Sequence, residues 1–226
     1  MDGRLASLRW DTEYDKGRYV EDPPLPFVAE ILAALEDEPR LRGGLGLYVG
    51  CGNGRNYLPL VDAGLRLCGL DFSLTALRQL AARRPARRLP LICGDFRSFT
   101  SGRPVGYVVA IQVFQHGTEA DAATYFDRVK TFLHPGGLFF LRVNSVSTQV
   151  FHRHTVLDRN ERGGATVRYD AGPKRGLAVH FYAREELADL TSEAFEVVVA
   201  PREDVIMRSP PQTGFWAQWE AIWRRR

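Results

Sequence analysis

The sequence predicts an α/β protein built on an open, mostly parallel sheet with helices on both faces. Three observations carry that reading. Short apolar runs bounded by glycine or polar residues alternate with helically spaced stretches from Phe27 to Val143. The first such run, Leu45–Val49, leads straight into a glycine-rich turn, Gly50-Cys51-Gly52-Asn53-Gly54. Two later runs end on an acid beside a glycine, in Gly69-Leu70-Asp71 and Gly94-Asp95.

The elements follow in order. An aromatic leader (Trp10, Tyr14, Tyr19) is separated by the Pro-rich stretch 21–26 from a helix over 27–36. Leu45–Val49 reads as a buried strand, and helical spacing runs from Gly54 to Ala63. Leu65–Leu70 is the second strand, and Ser73 is a good N-cap for a helix through about Arg83. Leu89–Cys93 and Val105–Ile111 are the third and fourth strands. Glu119–Leu133 has helical spacing, is stopped by His134-Pro-Gly-Gly137, and gives way to a fifth strand over Leu138–Val143. Residues 145–180 break the rhythm and read as a polar insertion on the substrate side of a single domain spanning 1–226. A helix over Ala183–Leu190 and a strand over Phe195–Ala200 follow. Phe215–Trp223 fits either a helical tryptophan stripe or a strand; the preceding Pro210-Pro211…Gly214 favours a strand antiparallel to 195–200.

Composition narrows the function classes. A net charge of +3, with no interleaving of basic and aromatic residues, argues against a nucleic-acid surface. No apolar run reaches the roughly 18 residues of a membrane span. The polar start shows no signal-peptide core, and the three cysteines have no metal or disulfide spacing, so a reducing, cytoplasmic setting is expected. The His152-x-His154 pair lacks a third ligand, and no metal is predicted. Nothing in the sequence reports the oligomeric state.

In an open α/β sheet, ligands bind beyond the carboxyl ends of the strands. Glycines behind the first strand let backbone approach a ligand closely. Asp71 lies 21 positions after Gly50, where one carboxylate can accept from two adjacent ribose hydroxyls. Asp95 suits an adenine amino group, with Phe96 packing on the ring. These features predict a nucleoside-bearing cofactor. The spacing Gly50-x-Gly52-x-Gly54, with Arg55 next, departs from the dinucleotide fingerprint.

Taken together, these motifs resemble those of class I S-adenosylmethionine-dependent methyltransferases, closest to small-molecule members of the tellurite-resistance and thiopurine-like branch. The resemblance rests on "VGCGNGRN" (49–56), "GLDFS" (69–73), "CGDF" (93–96), "VVAIQVFQH" (108–116), "LHPGGLFFL" (133–141) and "FYAREELADL" (181–190). It implies a Rossmann-like seven-stranded sheet of order 3-2-1-4-5-7-6, the last strand antiparallel. It also implies S-adenosylmethionine contacts from Gly50, Cys51, Gly52, Asn53, Gly54, Asn56, Asp71, Phe72, Ser73, Gly94, Asp95, Phe96, Gln112 and Val113. Tyr14, Arg18 and Tyr19 resemble the lid, over residues 1–26, that covers the cofactor; Tyr19 is assigned to the cofactor, and Tyr14 and Arg18 to the substrate. One departure stands out: Tyr48 replaces the acidic residue usual two positions before the first loop glycine.

Methyl transfer from a sulfonium is an in-line displacement, so alignment and water exclusion matter most. A general base is needed only where the nucleophile must lose a proton. His116 is the candidate base; Asn144 and His154 are candidate substrate contacts. The expected function is methylation of O, N or S of a small molecule. Protein or nucleic-acid methylation and a non-catalytic cofactor-binding scaffold are the alternatives.

Overall fold

The computed structural model describes residues 3–226. Its elements in chain order are α1 (Gly3–Asp15), α2 (Phe27–Glu36), α3 (Pro39–Arg42), β1 (Leu45–Val49), α4 (Tyr57–Asp62), β2 (Arg66–Asp71), α5 (Leu74–Ala82), β3 (Leu91–Cys93) and β4 (Val105–Ile111). Then come α6 (Glu119–Phe132), β5 (Leu133–Asn144), β6 (His154–Arg159), β7 (Ala165–Tyr169), β8 (Ala178–Phe181), α7 (Arg184–Ser192), β9 (Phe195–Met207) and β10 (Phe215–Arg225). A seven-stranded sheet runs β3-β2-β1-β4-β5-β10-β9, and β6-β7-β8 form a second sheet. Numbered within the large sheet alone, that is the expected order 3-2-1-4-5-7-6. β1, β2 and β3 pair in parallel, while β10 and β9 are antiparallel.

Two compact units divide the chain. One runs through Val109 and adds Thr131–Leu138; the other comprises Ala110–Lys130 and Phe139–Arg226. In the first, β1 is buried on both faces after Leu45, which is why it reads as a continuous apolar run rather than an alternating one. Gly46 belongs to that strand because Tyr107 fills the space beside it: a Cβ there would lie 2.1 Å from the Tyr107 ring. Gly46→Ala is therefore expected to cost about 1–3 kcal/mol by overpacking, measurable in urea unfolding; an unchanged midpoint would show that the ring moves freely. Ser73 caps α5 as its residue type predicts, its hydroxyl accepting from the Ala76 amide at 3.1 Å. The same unit packs Phe96 and Phe99 on Phe132, the latter pair stacked 5.5 Å apart.

The second unit is stitched by aromatics. Phe114 stacks on Tyr125 at 4.6 Å, and Phe139 contacts Phe126, Phe195 and Trp223. Each such pair adds about 0.5–1.5 kcal/mol beyond its buried area. Trp219 and Trp223 are buried in β10, whose interior is covered on both faces; the tryptophans are packing residues on a strand, not a helical stripe.

The structure corrects several boundaries. β5 begins at Leu133, directly after α6, so His134–Gly137 belongs to the strand rather than to a separating turn. α4 starts at Tyr57, three residues past Gly54, because the glycine turn itself does not enter the helix. β9 runs on to Met207, pairing with β10 as far as Phe215. The polar segment 145–180 carries β6 and β7 and leads into β8, the three strands closing over a small core of Val167, Val179 and Phe181. β8 then props the loop after β4. Ala178 O accepts from Gly117 N at 3.1 Å, His180 N donates to Gln115 O at 2.8 Å, and the Tyr182 hydroxyl donates to Phe114 O at 2.6 Å.

Candidate functional site

In the first unit, Gly50, Gly52 and Gly54 all have left-handed backbone, with φ of 69°, 53° and 97°. That conformation and the space around it demand glycine. A Cβ on Gly52 would lie 2.5 Å from the Tyr14 hydroxyl, and one on Gly54 would lie 2.5 Å from Leu80 Cδ1. The loop is pinned from behind: Leu70 O accepts from Gly50 N at 2.7 Å and from Cys51 N at 3.2 Å.

Asp71 organises the front. One carboxylate oxygen accepts from Gly52 N at 2.7 Å and the other from Ser73 N at 2.8 Å. Burial pushes its pKa up to about 6, against the opposing pull of those two amides. A carboxylate offers about four lone-pair directions; with the Phe72 amide also bonded to it, about one remains open. Cys51 is buried in the same loop, its thiol pushed well up by burial and by Asp71; it is an inert filler.

The lid residues lie on this loop. Asn53 donates through Nδ2 to Arg18 O at 2.8 Å, and Gln79 donates to Tyr14 O at 2.9 Å. Tyr14 is buried, and Arg18 pairs with Glu13 while its guanidinium lies 5.2 Å over the Tyr19 ring. Tyr19 itself has φ of 63°, an uncommon strain for a non-glycine residue. Two lid contacts escaped sequence reasoning. Asp11 Oδ1 accepts from the Ser73 hydroxyl at 2.5 Å and from Thr75 N at 3.2 Å, and the Ser7 hydroxyl donates to Phe72 O at 3.0 Å. Ser7 and Asp11 are four apart on α1, so they share one helix face; recognising the leader as a helix would have found them.

Asn56 is buried and accepts from Leu25 N at 2.9 Å. It also hydrogen-bonds the Tyr48 hydroxyl. Tyr48 is buried against Tyr57, with its pKa raised by desolvation. It is an interior packing residue and supplies no replacement carboxylate. Asp95 is gripped by its near neighbour: the Arg97 guanidinium donates to both carboxylate oxygens, the shortest contact being 2.5 Å. Phe96 is 4% exposed, with its ring 5.1 Å from that of Phe132. Phe72 is half-buried on the neighbouring strand end.

The second unit carries the remaining candidates. Gln112 ends β4 with φ of 57°, held by its amide donating to Arg142 O at 2.7 Å. Val113 O accepts from His116 N at 3.1 Å. The His116 ring is hydrogen-bonded to the Gln112 backbone, and burial together with Lys174 lowers its pKa to about 3. The imidazole is therefore neutral at pH 7 and a weak base. Asn144 is buried at the end of β5, its Oδ1 accepting from Gln218 Nε2 at 3.2 Å. His154 opens β6, its Nδ1 paired with His152 O at 2.9 Å. His180 is buried between the Thr166 hydroxyl and Glu186, each 2.9 Å away. Sequence reasoning also missed the buried polar group Arg142, Gln218 and Glu220. The signal was an arginine inside the apolar run Leu138–Val143, which had to find partners.

The His116 environment gives a pH prediction. With a folded-state pKa below the ordinary histidine value, its contribution to stability is present above about pH 6.5 and is lost as the pH falls toward 3. In His116→Gln that segment of the stability profile should flatten, as followed by thermal unfolding between pH 4 and 8; an unchanged slope would mean the ring titrates normally.

Residues 47–137 match the family model described as a methyltransferase domain. No curated protein sequence matches the chain. Among solved structures, a Burkholderia thailandensis 1,6-didemethyltoxoflavin-N1-methyltransferase is 18% identical, with 96% of this chain and 88% of that one covered and a TM-score of 0.64. TehB from Haemophilus influenzae is 14% identical over 96% of this chain and 67% of that one, with a TM-score of 0.66. An S-adenosylmethionine-dependent methyltransferase from Clostridium acetobutylicum is 15% identical over 93% and 95%, with a TM-score of 0.63. At these identities the structural likeness establishes the fold. The methyltransferase-domain match adds a likeness in sequence over residues 47–137.

Proposed function

We propose that the protein uses S-adenosylmethionine to methylate an O, N or S atom of a small molecule. The observation that carries this reading is the glycine loop: three left-handed glycines, tied to Leu70 and Asp71, present bare backbone beneath the Tyr14 hydroxyl, with no room for a side chain at Gly52. The donor set suits the cofactor. The open lone pair of Asp71 accepts from the ribose hydroxyls, Asp95 (oriented by Arg97) accepts from the adenine amine, and Phe72 packs on the ring. The Tyr14–Tyr19 lid holds the amino-acid end. Bound there, S-adenosylmethionine supplies a methyl group already activated on a sulfonium.

The chain's own task is alignment. Gln112 and Val113 place polar and apolar groups at the end of β4, and β8 fixes the loop that carries them. His116, held neutral, orients an acceptor molecule by hydrogen bond instead of storing its proton; this suits amines and thiolates better than alcohols. The small-molecule reading draws support from the Burkholderia enzyme, whose structure holds 1,6-didemethyltoxoflavin and S-adenosylhomocysteine. The mild net charge of +3 disfavours nucleic acid.

The test is transfer of labelled methyl from S-adenosylmethionine to a panel of small amines, phenols and thiols, with peptides and RNA alongside. Label should enter the small-molecule fraction and depend on an intact Gly52. Label confined to peptide or RNA would refute the acceptor class.

A further inference from the structure

A chain of side-chain amides crosses the ends of β4, β5 and β10, and one buried cation sets its direction. Arg142 has no exposed surface. Its Nε lies 2.8 Å from Gln218 Oε1, while its other nitrogens bond Glu220 and, at 2.7 Å, Asp204. A guanidinium only donates, so the Gln218 atom facing it must be the oxygen. That oxygen also faces Gln112 at 2.9 Å, so the Gln112 atom there must be Nε2. The other end of the Gln218 amide is then Nε2, and its partner on Asn144 must be Oδ1. No amide in this chain is free to flip. What remains is Oε1 on Gln112, an acceptor, and Nδ2 on Asn144, a donor.

We propose that Arg142 and Gln218 are positioning residues that fix this polarity, and that the substrate brings the complementary edge. That edge is neutral and planar, with an N–H or O–H donor beside a carbonyl or ring-nitrogen acceptor, as in a lactam or a related heterocycle. The inference rests on the methyltransferase reading above. Gln112 is held for this purpose in a left-handed conformation that a non-glycine residue adopts only when its surroundings impose it. A site built to hydrogen-bond a substrate rejects the analogue that cannot reciprocate, because buried polar groups are then left unpaired.

The probes are carbostyril, which carries N–H beside C=O, its O-methyl ether, which lacks the donor, and benzamidine, which presents two donors. Each is titrated by saturation-transfer NMR into protein loaded with S-adenosylhomocysteine. The wild type should prefer carbostyril over the ether by about tenfold. Gln218→Met, titrated at saturating S-adenosylhomocysteine, should shrink that preference below about threefold. Gln218→Glu keeps the acceptor for Arg142 and Gln112 but frees the Asn144 amide to turn. Its preference should pass to benzamidine, an inversion that mere loosening of the fold would not produce. Wild-type protein that binds S-adenosylhomocysteine but does not discriminate carbostyril from the ether overturns the inference and leaves the methyltransferase reading standing. So do variants with unaltered preference. Failure of wild-type protein to bind S-adenosylhomocysteine overturns both.

Discussion

Asp71→Ala is expected to weaken S-adenosylhomocysteine binding by at least about 100-fold, roughly 2.7 kcal/mol. Two effects combine. The ribose hydroxyls lose their acceptor, and the Gly52 and Ser73 amides lose theirs at 2.7 and 2.8 Å, so the cradle relaxes. Each orphaned buried amide costs about 1–3 kcal/mol, so the melting temperature should fall as well. Affinity that survives the change would refute the assignment. The pH dependence is a separate check. The folded-state pKa of Asp71, about 6, lies above the 3.8 of an ordinary aspartate, so the native state holds this proton more tightly than the unfolded chain does. The corresponding stability is present below about pH 4 and is lost as the pH rises through about 6, amounting to about 3 kcal/mol over the window. Asp71→Asn should abolish that slope in denaturant titrations run from pH 4 to 7; an undiminished slope would place the proton elsewhere.

Arg142→Ala should cost about 3–5 kcal/mol in urea unfolding at neutral pH. The guanidinium is fully buried, and Glu220 beside it is 5% exposed, so removing the cation leaves that carboxylate, among the described residues, to Arg202 at 3.0 Å. Leaving a charge buried and unpaired costs far more than forming the pair gains. The combined replacement Arg142→Met with Glu220→Met should therefore recover much of the loss, since the buried carboxylate goes with the cation and the partners left behind, Asp204 and Arg202, reach solvent. A loss below about 1 kcal/mol in the single variant would mean that Asp204, Arg202 and water rebalance the cluster without it.

How much of this was legible follows from what each element needs locally. β1 and β4 were found to the residue because strands buried on both faces write themselves as unbroken apolar runs. Ser73 was found because a cap is a local hydrogen bond, and the glycine loop because left-handed backbone selects one residue type. β6 was missed for the opposite reason: five of its six residues are exposed, so no alternation is impressed on His-Thr-Val-Leu-Asp-Arg. Within the site, Asp71 could be placed from spacing, yet its grip on Gly52 could not, since that contact spans 19 positions. The contact of Phe96 with Phe132 spans 36 positions and was likewise not legible in the local motif. His116 was placed correctly on the loop after β4, but its weak basicity depends on burial and on Lys174, which arrives from a distant turn.

The central claim is that the glycine loop and Asp71 hold a sulfur nucleoside. Calorimetric titration with S-adenosylmethionine, S-adenosylhomocysteine and NAD in parallel tests it most directly. Micromolar binding of both sulfur nucleosides with no heat from NAD is the predicted result. NAD binding, or no binding of either sulfur nucleoside, would contradict it.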